Sequence, residues 1–350
     1  MISVDPDPSD LGNSPEDEPE SETCTLVVGV ADHGCRIDKF LAASLPALSR
    51  SYFQQLLSQG DVSCGGRPVA KASVAVKAGQ VVCVQLRPTE QARSFLPENI
   101  PLQVVHEDDH LIVINKPAGL VVHPGAGNWS GTLLNGLLHH CPASVHLPRA
   151  GIVHRLDKDT SGLMVVAKTR EVMDALVRLI ASRQVSRLYV ALAERPWSQG
   201  KELQVNQPMG RDPLNRLRMA VLPEGKPGAK PARTTFKVLA SQDGLNLVAC
   251  KLDTGRTHQI RVHLSWAGHP ILADQLYGGR AGWGMNRQAL HATRLSFTHP
   301  VTGQALSFHA PPPADMSETM ASSGLAYNTG SIDDSDFPLG NQPARSGAAT

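Results

Sequence analysis

The first hydrophobic pattern in the chain is helical and gives way to strand-like runs. Apolar side chains recur at helical spacing between Ile37 and Leu45, and a second helix, capped by Ser49 or Ser51, is expected to end at Gly60. Short apolar runs bounded by glycine turns predict strands at 62–64 and 81–86. Residues 33–86 are therefore predicted to form a small α/β module.

The pattern after residue 100 is dominated by strands. A polar, proline-containing stretch at 87–100 reads as a linker, and a larger unit is predicted at 101–316. Two helices are expected in it, at 171–183, where Val172, Leu176 and Ile180 lie four apart, and at 258–267 before Gly268. Strands are predicted at 111–115, 188–192, 236–239 and 245–252. The larger unit is therefore expected to be rich in strands.

Charge is distributed unevenly along the chain. Residues 1–32 and 317–350 are predicted to be disordered tails, the first of them acidic. The formal net charge is +1, but residues 23–314 hold 32 basic and 19 acidic side chains, a net charge of about +13. A basic body of this kind can bind a polyanion such as nucleic acid, although solvated basic faces are also common.

Composition excludes several classes of protein. The 41% hydrophobic content argues against wholesale disorder. The six cysteines are scattered without metal-binding spacing, which predicts reduced thiols and no metal site. No apolar run is long enough to span a membrane, and the acidic N-terminus does not resemble a signal peptide. We therefore expect a cytoplasmic protein that is not embedded in a membrane.

One carboxylate is flanked by cations and turn formers. Residues 151–162 (GIVHRLDKDTSG) predict a strand, an exposed loop and a second strand, with Asp157 at the loop tip. Arg155 lies two residues away and can contact phosphate or a base. Arg256, in the turn that starts at Asp253, could pair with Asp157 and keep it ionised as a nucleophile requires. A lone Asp in a loop is otherwise usually a turn former.

Several long motifs in order resemble the RluA family of pseudouridine synthases. They are NKPAGLVVHP at 115–124, GIVHRLDKDTSG at 151–162, RLY at 187–189, LDTGRTHQIRVH at 252–263, and LHA at 290–292 followed by HP at 299–300. In addition, RIDKFL at 36–41, LSRS at 48–51 and GDV at 60–62 resemble an S4 RNA-binding domain. The resemblance implies an α+β fold, in which a mixed, mostly antiparallel catalytic sheet with flanking helices is preceded by an S4-like domain. One departure is Ala273 before Asp274, where the family often has Gly.

The resemblance also implies a reaction and residue roles. Uridine in RNA would be flipped out of its stack and isomerised, without a cofactor. Asp157 would be the nucleophile, attacking C1′ of the ribose or C6 of the uracil. Arg155 would fill the vacated space, Tyr189 would stack on the uracil and remove the C5 proton, and Arg256 would be the salt-bridge partner of Asp157.

Substrate contacts and partners are further expectations. The segments at 122–128 and 148–154 favour family members that act on large-subunit ribosomal RNA, and we expect a monomer. The predicted RNA contacts are Arg36, Lys39, Arg50, Lys116, His154 and Arg261. A noncatalytic ribosome assembly factor that uses the S4-like module is the alternative, and the set Arg155, Asp157, Tyr189 and Arg256 argues against it. A glycosidase would need a second carboxylate, for which the turn residue Asp159 is poorly placed.

Overall fold

The computed structural model describes residues 22–46, 48–86, 92–125, 127–215 and 217–337. The chain divides after Ser94 into two compact units, which are described separately below. The parts of the predicted tails and linker at 1–21, 87–91 and 338–350 lie outside the described residues. None of the helices within the described ranges is long and apolar enough to cross a membrane.

The smaller unit packs two helices on a four-stranded sheet. Its elements are β1 (Glu22–Val27), α1 (Ile37–Ser44), α2 (Arg50–Gln59), β2 (Val62–Cys64), β3 (Arg67–Pro68) and β4 (Val81–Leu86). The strand order is β1-β4-β2-β3. Ser49, rather than Ser51, caps α2 by accepting a hydrogen bond from the Tyr52 amide, and Gly60 ends the helix in the left-handed region.

The predicted helices and strands of this unit are confirmed, but the limit of the N-terminal tail is wrong. β1 pairs with the whole of β4, from Glu22 opposite Leu86 to Val27 opposite Val81. Backbone hydrogen bonds to an existing strand order this segment despite its polar composition, because a sheet edge offers unpaired amides and carbonyls. Residues 22–27 therefore belong to the module.

The larger unit is built from strands and four α-helices in the described part of the chain. Its strands are β5 (Val104–Glu107), β6 (Leu111–Lys116), β7 (Ser161–Ala167), β8 (Ser186–Glu194), β9 (Glu202–Asn206), β10 (Met209–Arg211), β11 (Met219–Val221), β12 (Arg233–Gln242), β13 (Leu245–Leu252), β14 (Leu290–Thr298) and β15 (Ala305–His309). Its α-helices are α3 (Leu133–His140), α4 (Arg170–Ala181), α5 (Gln259–Trp266) and α6 (Ala314–Ser322). The predicted helices agree with α4 and α5 to within two residues.

Nine of these strands form one sheet in the described part of the chain. Their order is β5-β6-β7-β14-β8-β13-β12-β9, with β15 paired to β14, while β10 and β11 form a separate hairpin. All pairs are antiparallel except β7 with β14, which touch only where Ser161 and Gly162 face His291 and Ala292. The predicted mixed, mostly antiparallel sheet is confirmed.

The segment before β7 occupies the place where β7 diverges from β14. Ile152 forms an isolated bridge with Val166, and the Val165 amide donates a hydrogen bond to the His154 Nε2 at 3.1 Å. The predicted strand at the start of 151–162 is therefore reduced to a single bridge. This inserted segment brings Asp157 to the middle of the sheet, beside β8 and α5.

Two further boundaries differ from the predictions. Residues 96 and 98 of the predicted linker are tied to α3, where Asn135 donates to the Leu96 carbonyl and accepts from the Glu98 amide. The predicted C-terminal tail contains the end of α6, and Ile332 and Phe337 are buried in the main core. A few apolar residues in a polar segment suffice to dock it once a core with matching sites exists.

Candidate active site

The loop that carries Asp157 is held from below by Lys116. The Lys116 side chain is buried, and its Nζ donates to the carbonyls of Pro117, Leu120 and Lys158 at 2.7, 2.9 and 3.0 Å. Burial lowers the pKa of Lys116 to about 8, against the opposing charges of Asp159 and Asp157. The prediction that Lys116 contacts RNA is wrong, because all three donors of its ammonium group are used inside the protein.

The other side of the loop is fixed by Arg287. Its Nη1 donates to the Asp159 carbonyl at 2.9 Å, while its guanidinium forms a two-point ion pair with Asp315 of α6 at 2.7 and 2.9 Å. The C-terminal helix thus supports the loop through one arginine. The loop is thus held by hydrogen bonds to its carbonyls from both sides, and the Asp157 side chain is only 17% exposed.

Arg261 is the cation that pairs with Asp157. Its Nη1 donates to Asp157 Oδ2 at 3.0 Å, and its Nε and Nη2 donate to the fully buried Asp274 at 2.7 and 2.9 Å. Arg261 was predicted to bind substrate, whereas its guanidinium is spent on two carboxylates. Arg261 is the third residue of α5, a helix whose first six residues are buried.

The prediction that Arg256 is the partner of Asp157 is wrong. Arg256 is exposed, and its Nε donates to the Pro231 carbonyl at 3.4 Å. The structure begins α5 after His258, which adopts a left-handed conformation with φ of 57°. Arg256 therefore precedes the helix on its outer side, while Arg261, five residues later, is turned inward.

Asp274 occupies a tight turn that the sequence marked as unusual. Ala273, where the family often has Gly, adopts a positive φ of 62°. That conformation normally favours glycine, so this Ala carries a modest strain of about 1 kcal/mol. The turn is nevertheless closed, because the Asp274 amide donates to the Ile271 carbonyl at 3.0 Å. The departure from the family pattern leaves the position of the carboxylate intact.

A hydrogen-bonded chain leads to the second oxygen of Asp157. The Met219 amide donates to the Tyr277 hydroxyl at 2.9 Å, and this hydroxyl lies 2.8 Å from His258 Nδ1. In the tautomer in which the Tyr277 hydroxyl donates to Nδ1, the proton of a neutral His258 imidazole lies on Nε2. His258 Nε2 lies 3.8 Å from Asp157 Oδ1, and burial lowers the pKa of His258. In that tautomer, a neutral His258 presents an N–H towards the carboxylate.

Tyr189 lies on β8 and is buried beside the carboxylate. Burial raises the pKa of Tyr189, the nearby Arg187 lowers it and Asp157 raises it further, with a net increase. Tyr189 thus keeps its proton at neutral pH. Its hydroxyl makes no hydrogen bond to any described residue, so it is available to a ligand.

Arg155 is exposed on the same segment as Asp157. Its charge is among those that lower the pKa of His258 and of His123, which places Arg155 on the same side of the site. Its predicted role in filling the space of a flipped base stays a prediction. His154, by contrast, is directed into the sheet, where burial lowers the pKa of His154 to about 3. The residue is still partly exposed, so its predicted RNA contact stays a prediction.

In the smaller unit, Arg36 and Arg50, two of the three predicted RNA-binding residues, share one carboxylate partner. Arg36 and Arg50 both bind the buried Asp38, at 3.1 and 2.7 Å, and are 45% and 43% exposed. Burial would raise the pKa of Asp38, but hydrogen bonds from Arg36, Gln54 and Arg50 lower it well below its usual range. Lys39 is exposed on α1. One carboxylate thus orients two guanidinium groups towards solvent, which suits phosphate binding.

Three residues of the site escaped sequence reasoning, namely Arg187, Asp274 and Tyr277. Each lies in a segment that resembles the family, but neither periodicity nor charge distinguishes it from its neighbours. Asp274 is the one with a usable signal, because it directly follows the apolar run at 271–273, and a carboxylate buried with such a run requires a nearby cation. Within the described ranges, no group of three or more His, Cys, Asp or Glu side chains is arranged to hold a metal ion.

Comparison with known families and proteins gives a consistent result. The family described as RNA pseudouridylate synthase matches residues 110–266, and the S4 domain matches residues 35–82. Ribosomal large subunit pseudouridine synthase D of Neisseria meningitidis serogroup B is 48% identical over 323 residues, which cover 89% of this chain and 83% of that protein. The protein of the same name from Nitrosomonas europaea is 46% identical over 324 residues, 90% of each chain.

A solved structure shares the fold. Human RNA Pseudouridylate Synthase Domain Containing 4 is 26% identical, with a TM-score of 0.51, over 62% of this chain and 91% of the human chain. The matched family region includes Asp157, Tyr189 and Arg261, the residues that the geometry brings together.

Proposed function

This chain belongs to the RNA pseudouridylate synthase family, and on that premise we propose that it converts uridine to pseudouridine in large-subunit ribosomal RNA with Asp157 as the nucleophile. The observation that carries the proposal is the ion pair between Asp157 and Arg261. Their side chains are 17% and 8% exposed, and the atoms Oδ2 and Nη1 lie 3.0 Å apart. A carboxylate must be ionised to attack carbon, and Arg261 stabilises the ionised form.

The reaction needs no net oxidant, reductant or energy source. The N1–C1′ glycosidic bond breaks, the uracil turns, and a C5–C1′ bond forms. C5 loses its proton and N1 gains one, so that substrate and product are isomers. Asp157 bonds transiently to C1′ or to C6 and is released unchanged, which is covalent catalysis in two easier steps.

The surrounding residues keep Asp157 in one place. Arg261 cannot follow the substrate, because Asp274 holds the other side of its guanidinium. Tyr189 lies on the strand beside the carboxylate with its hydroxyl unpaired among the described residues, and we assign it the stacking contact with the flipped uracil. Its removal of the C5 proton requires that its own hydroxyl proton pass to an acceptor, since burial raises the pKa of Tyr189.

Recognition of RNA rests on the charge of the chain and on the smaller unit. The excess of basic residues between 23 and 314 and the Arg36–Arg50 pair both suit phosphate, and a relative of 48% identity is named for the ribosomal large subunit. The exposed Arg155 would take the space that the flipped uridine leaves. We propose a monomer that works in the cytoplasm, where ribosomal subunits are assembled.

The test compares two matched substitutions of neighbouring aspartates. Asp157→Asn removes the negative charge at the nucleophile, whereas Asp159→Asn makes the same change at a side chain that forms no hydrogen bond to the described residues. With large-subunit ribosomal RNA transcripts and pseudouridine mapping, we expect D157N to reduce the rate by at least about a thousandfold. D159N should stay within about threefold of the wild type. Pseudouridine formation by D157N at a comparable rate would refute the proposal.

A further inference from the structure

A buried arginine on β8 has no partner among the residues that the structure describes. Arg187 is 7% exposed, and its guanidinium forms no hydrogen bond or ion pair with any described residue. Its Nε is among the buried polar atoms without a partner. An isolated cation taken out of water loses several kcal/mol of hydration free energy. In a folded protein this loss is normally offset by a negatively charged partner.

The other buried cations of the described chain show what is missing. Lys116 donates to three carbonyls, and Arg261 binds two carboxylates. Arg187 differs from both, although it is buried to the same degree as Arg261. Its position therefore suggests that the counter-charge arrives with a ligand.

The surroundings of Arg187 locate it in the active site. It precedes Tyr189 by two residues on β8, so both side chains lie on the same face of the strand. Its charge lowers the pKa of both Tyr189 and His154, which places it next to the segment that carries Asp157. Two polar groups that lack a partner in the described part of the chain, the Tyr189 hydroxyl and the Arg187 guanidinium, thus face the same space.

Gly255 keeps the guanidinium accessible. A Cβ atom at Gly255 would lie 2.8 Å from Arg187 Nη1, closer than van der Waals contact allows. Gly255 itself is exposed, so the guanidinium lies directly beneath the surface at the turn between β13 and α5. Any side chain at 255 would press on the cation and cover it.

We propose that Arg187 binds a phosphate of the RNA next to the flipped uridine. The inference rests on the proposed function, because RNA supplies the anion. A phosphate fits better than a uracil carbonyl, because the guanidinium has no negatively charged partner among the described residues and a phosphate carries the charge it needs. In addition, the planar N–H donors of a guanidinium match phosphate oxygens in pairs. The contact would position the target nucleotide while Tyr189 holds the base and Asp157 attacks.

The test uses Arg187→Met in the D157N protein, so that RNA binding is measured without turnover. Methionine keeps an unbranched apolar stem and removes only the buried charge. We expect R187M to weaken binding to a large-subunit ribosomal RNA transcript by roughly tenfold at moderate salt. The slope of log K against log salt should become shallower by about 0.7 to 0.9, the value for one lost phosphate contact. The control Arg170→Met removes an exposed arginine of α4 paired with Asp174, and should leave the slope unchanged.

The free protein gives an independent readout. Replacing an unpartnered buried charge with an apolar side chain should raise the melting temperature of R187M in the absence of RNA. A structural arginine would give the opposite result, and a lower melting temperature would overturn the proposal, as would an unchanged salt slope. If the wild type converts no uridine but R187M shows both expected shifts, the proposed function fails while the phosphate site stands.

Discussion

At the scale of single residues, the site depends on one arginine shared by two carboxylates. Arg261 donates to Asp157 and Asp274, and its guanidinium lies 5.0 Å from the centre of the Tyr277 ring. Because Asp274 and Tyr277 both fix the guanidinium, its orientation does not depend on substrate. Arg261 thus contributes both to the stability of the fold and to the rate of the reaction, and substitutions can separate these two effects.

We predict that Arg261→Met destabilises the protein by about 3–5 kcal/mol, because it leaves Asp274 charged and buried without a partner. The double variant R261M/D274N should regain most of that stability, since asparagine carries no charge. Its rate of pseudouridine formation should remain low, because Asp157 still lacks its cation. Urea unfolding and single-turnover rates measure the two effects.

Arg256→Met is the matched control for this experiment. Arg256 is exposed, so its loss should change the unfolding free energy by less than about 0.5 kcal/mol. If R256M lost as much stability and activity as R261M, Arg256 and not Arg261 would be the partner of Asp157.

At the scale of elements, two glycines join the Asp157 segment to the sheet. Gly151 has a φ of +79°, and a Cβ there would lie 1.9 Å from the Ala167 carbonyl oxygen. Gly162 has a φ of +118°, and a Cβ there would lie 2.3 Å from the Ala292 carbonyl oxygen. Each glycine thus permits a backbone contact with a neighbouring strand, at one end of the segment that holds Asp157.

Substitution of either glycine by alanine should disturb the sheet and the catalytic loop together. We predict that Gly151→Ala and Gly162→Ala each destabilise the protein by more than about 2 kcal/mol, because backbone atoms rather than a flexible side chain must move. Gly282→Ala is the control, since its Cβ would meet only Leu272 Cδ1 at 3.8 Å. Thermal unfolding of the three variants measures this, and equal melting temperatures would contradict the proposed strand contacts.

At the scale of the whole molecule, buried neutral histidines connect stability to pH. His263 and His291 are almost completely buried, and burial lowers the pKa of each to about 4. In each ring Nε2 donates to a carbonyl, of Gln207 and Ala310 respectively, and Nδ1 faces a hydroxyl group. Both rings are therefore held in a neutral form that the unfolded chain does not maintain in acid.

We predict that stability falls as the pH is lowered from 7.5 to 5. The unfolded histidine gains its proton near pH 6.5, whereas the folded one resists until about pH 4, so each ring costs about 2 kcal/mol of stability by pH 5. Partial burial acts to raise the pKa of Asp108, but hydrogen bonds from the amides of His110 and Leu111 hold this pKa at about 2. The contribution of Asp108 to the pH dependence of stability therefore falls below pH 5. Urea unfolding between pH 5 and 7.5 is the measurement.

Substitution of one histidine tests whether the buried rings cause this pH dependence of stability. His263→Gln retains a donor and an acceptor but cannot titrate, so its unfolding free energy should depend less steeply on pH than that of the wild type, by up to one proton. A wild-type stability that is constant or increases towards pH 5 would show that these rings are already charged in the folded protein.

The sequence by itself determined the α+β class, the small helical module, most strands and the place of Asp157 in a loop. Periodicity and turn residues are local properties, and the amphipathic α4 and the glycine-terminated α2 express them directly. The limits of the module and of the C-terminal tail were missed, because β1 and α6 are stabilised by partners far away in the chain.

Only the tertiary structure decided which cation serves Asp157. Arg261 lies 104 residues further along the chain and on a helix whose first six residues are all buried, so periodicity cannot tell which side faces the loop. Lys116 was reassigned for the same reason, since its partners include a carbonyl of the loop that carries Asp157. Local patterns identify reactive side chains, while the distance between two of them depends on how separate elements pack.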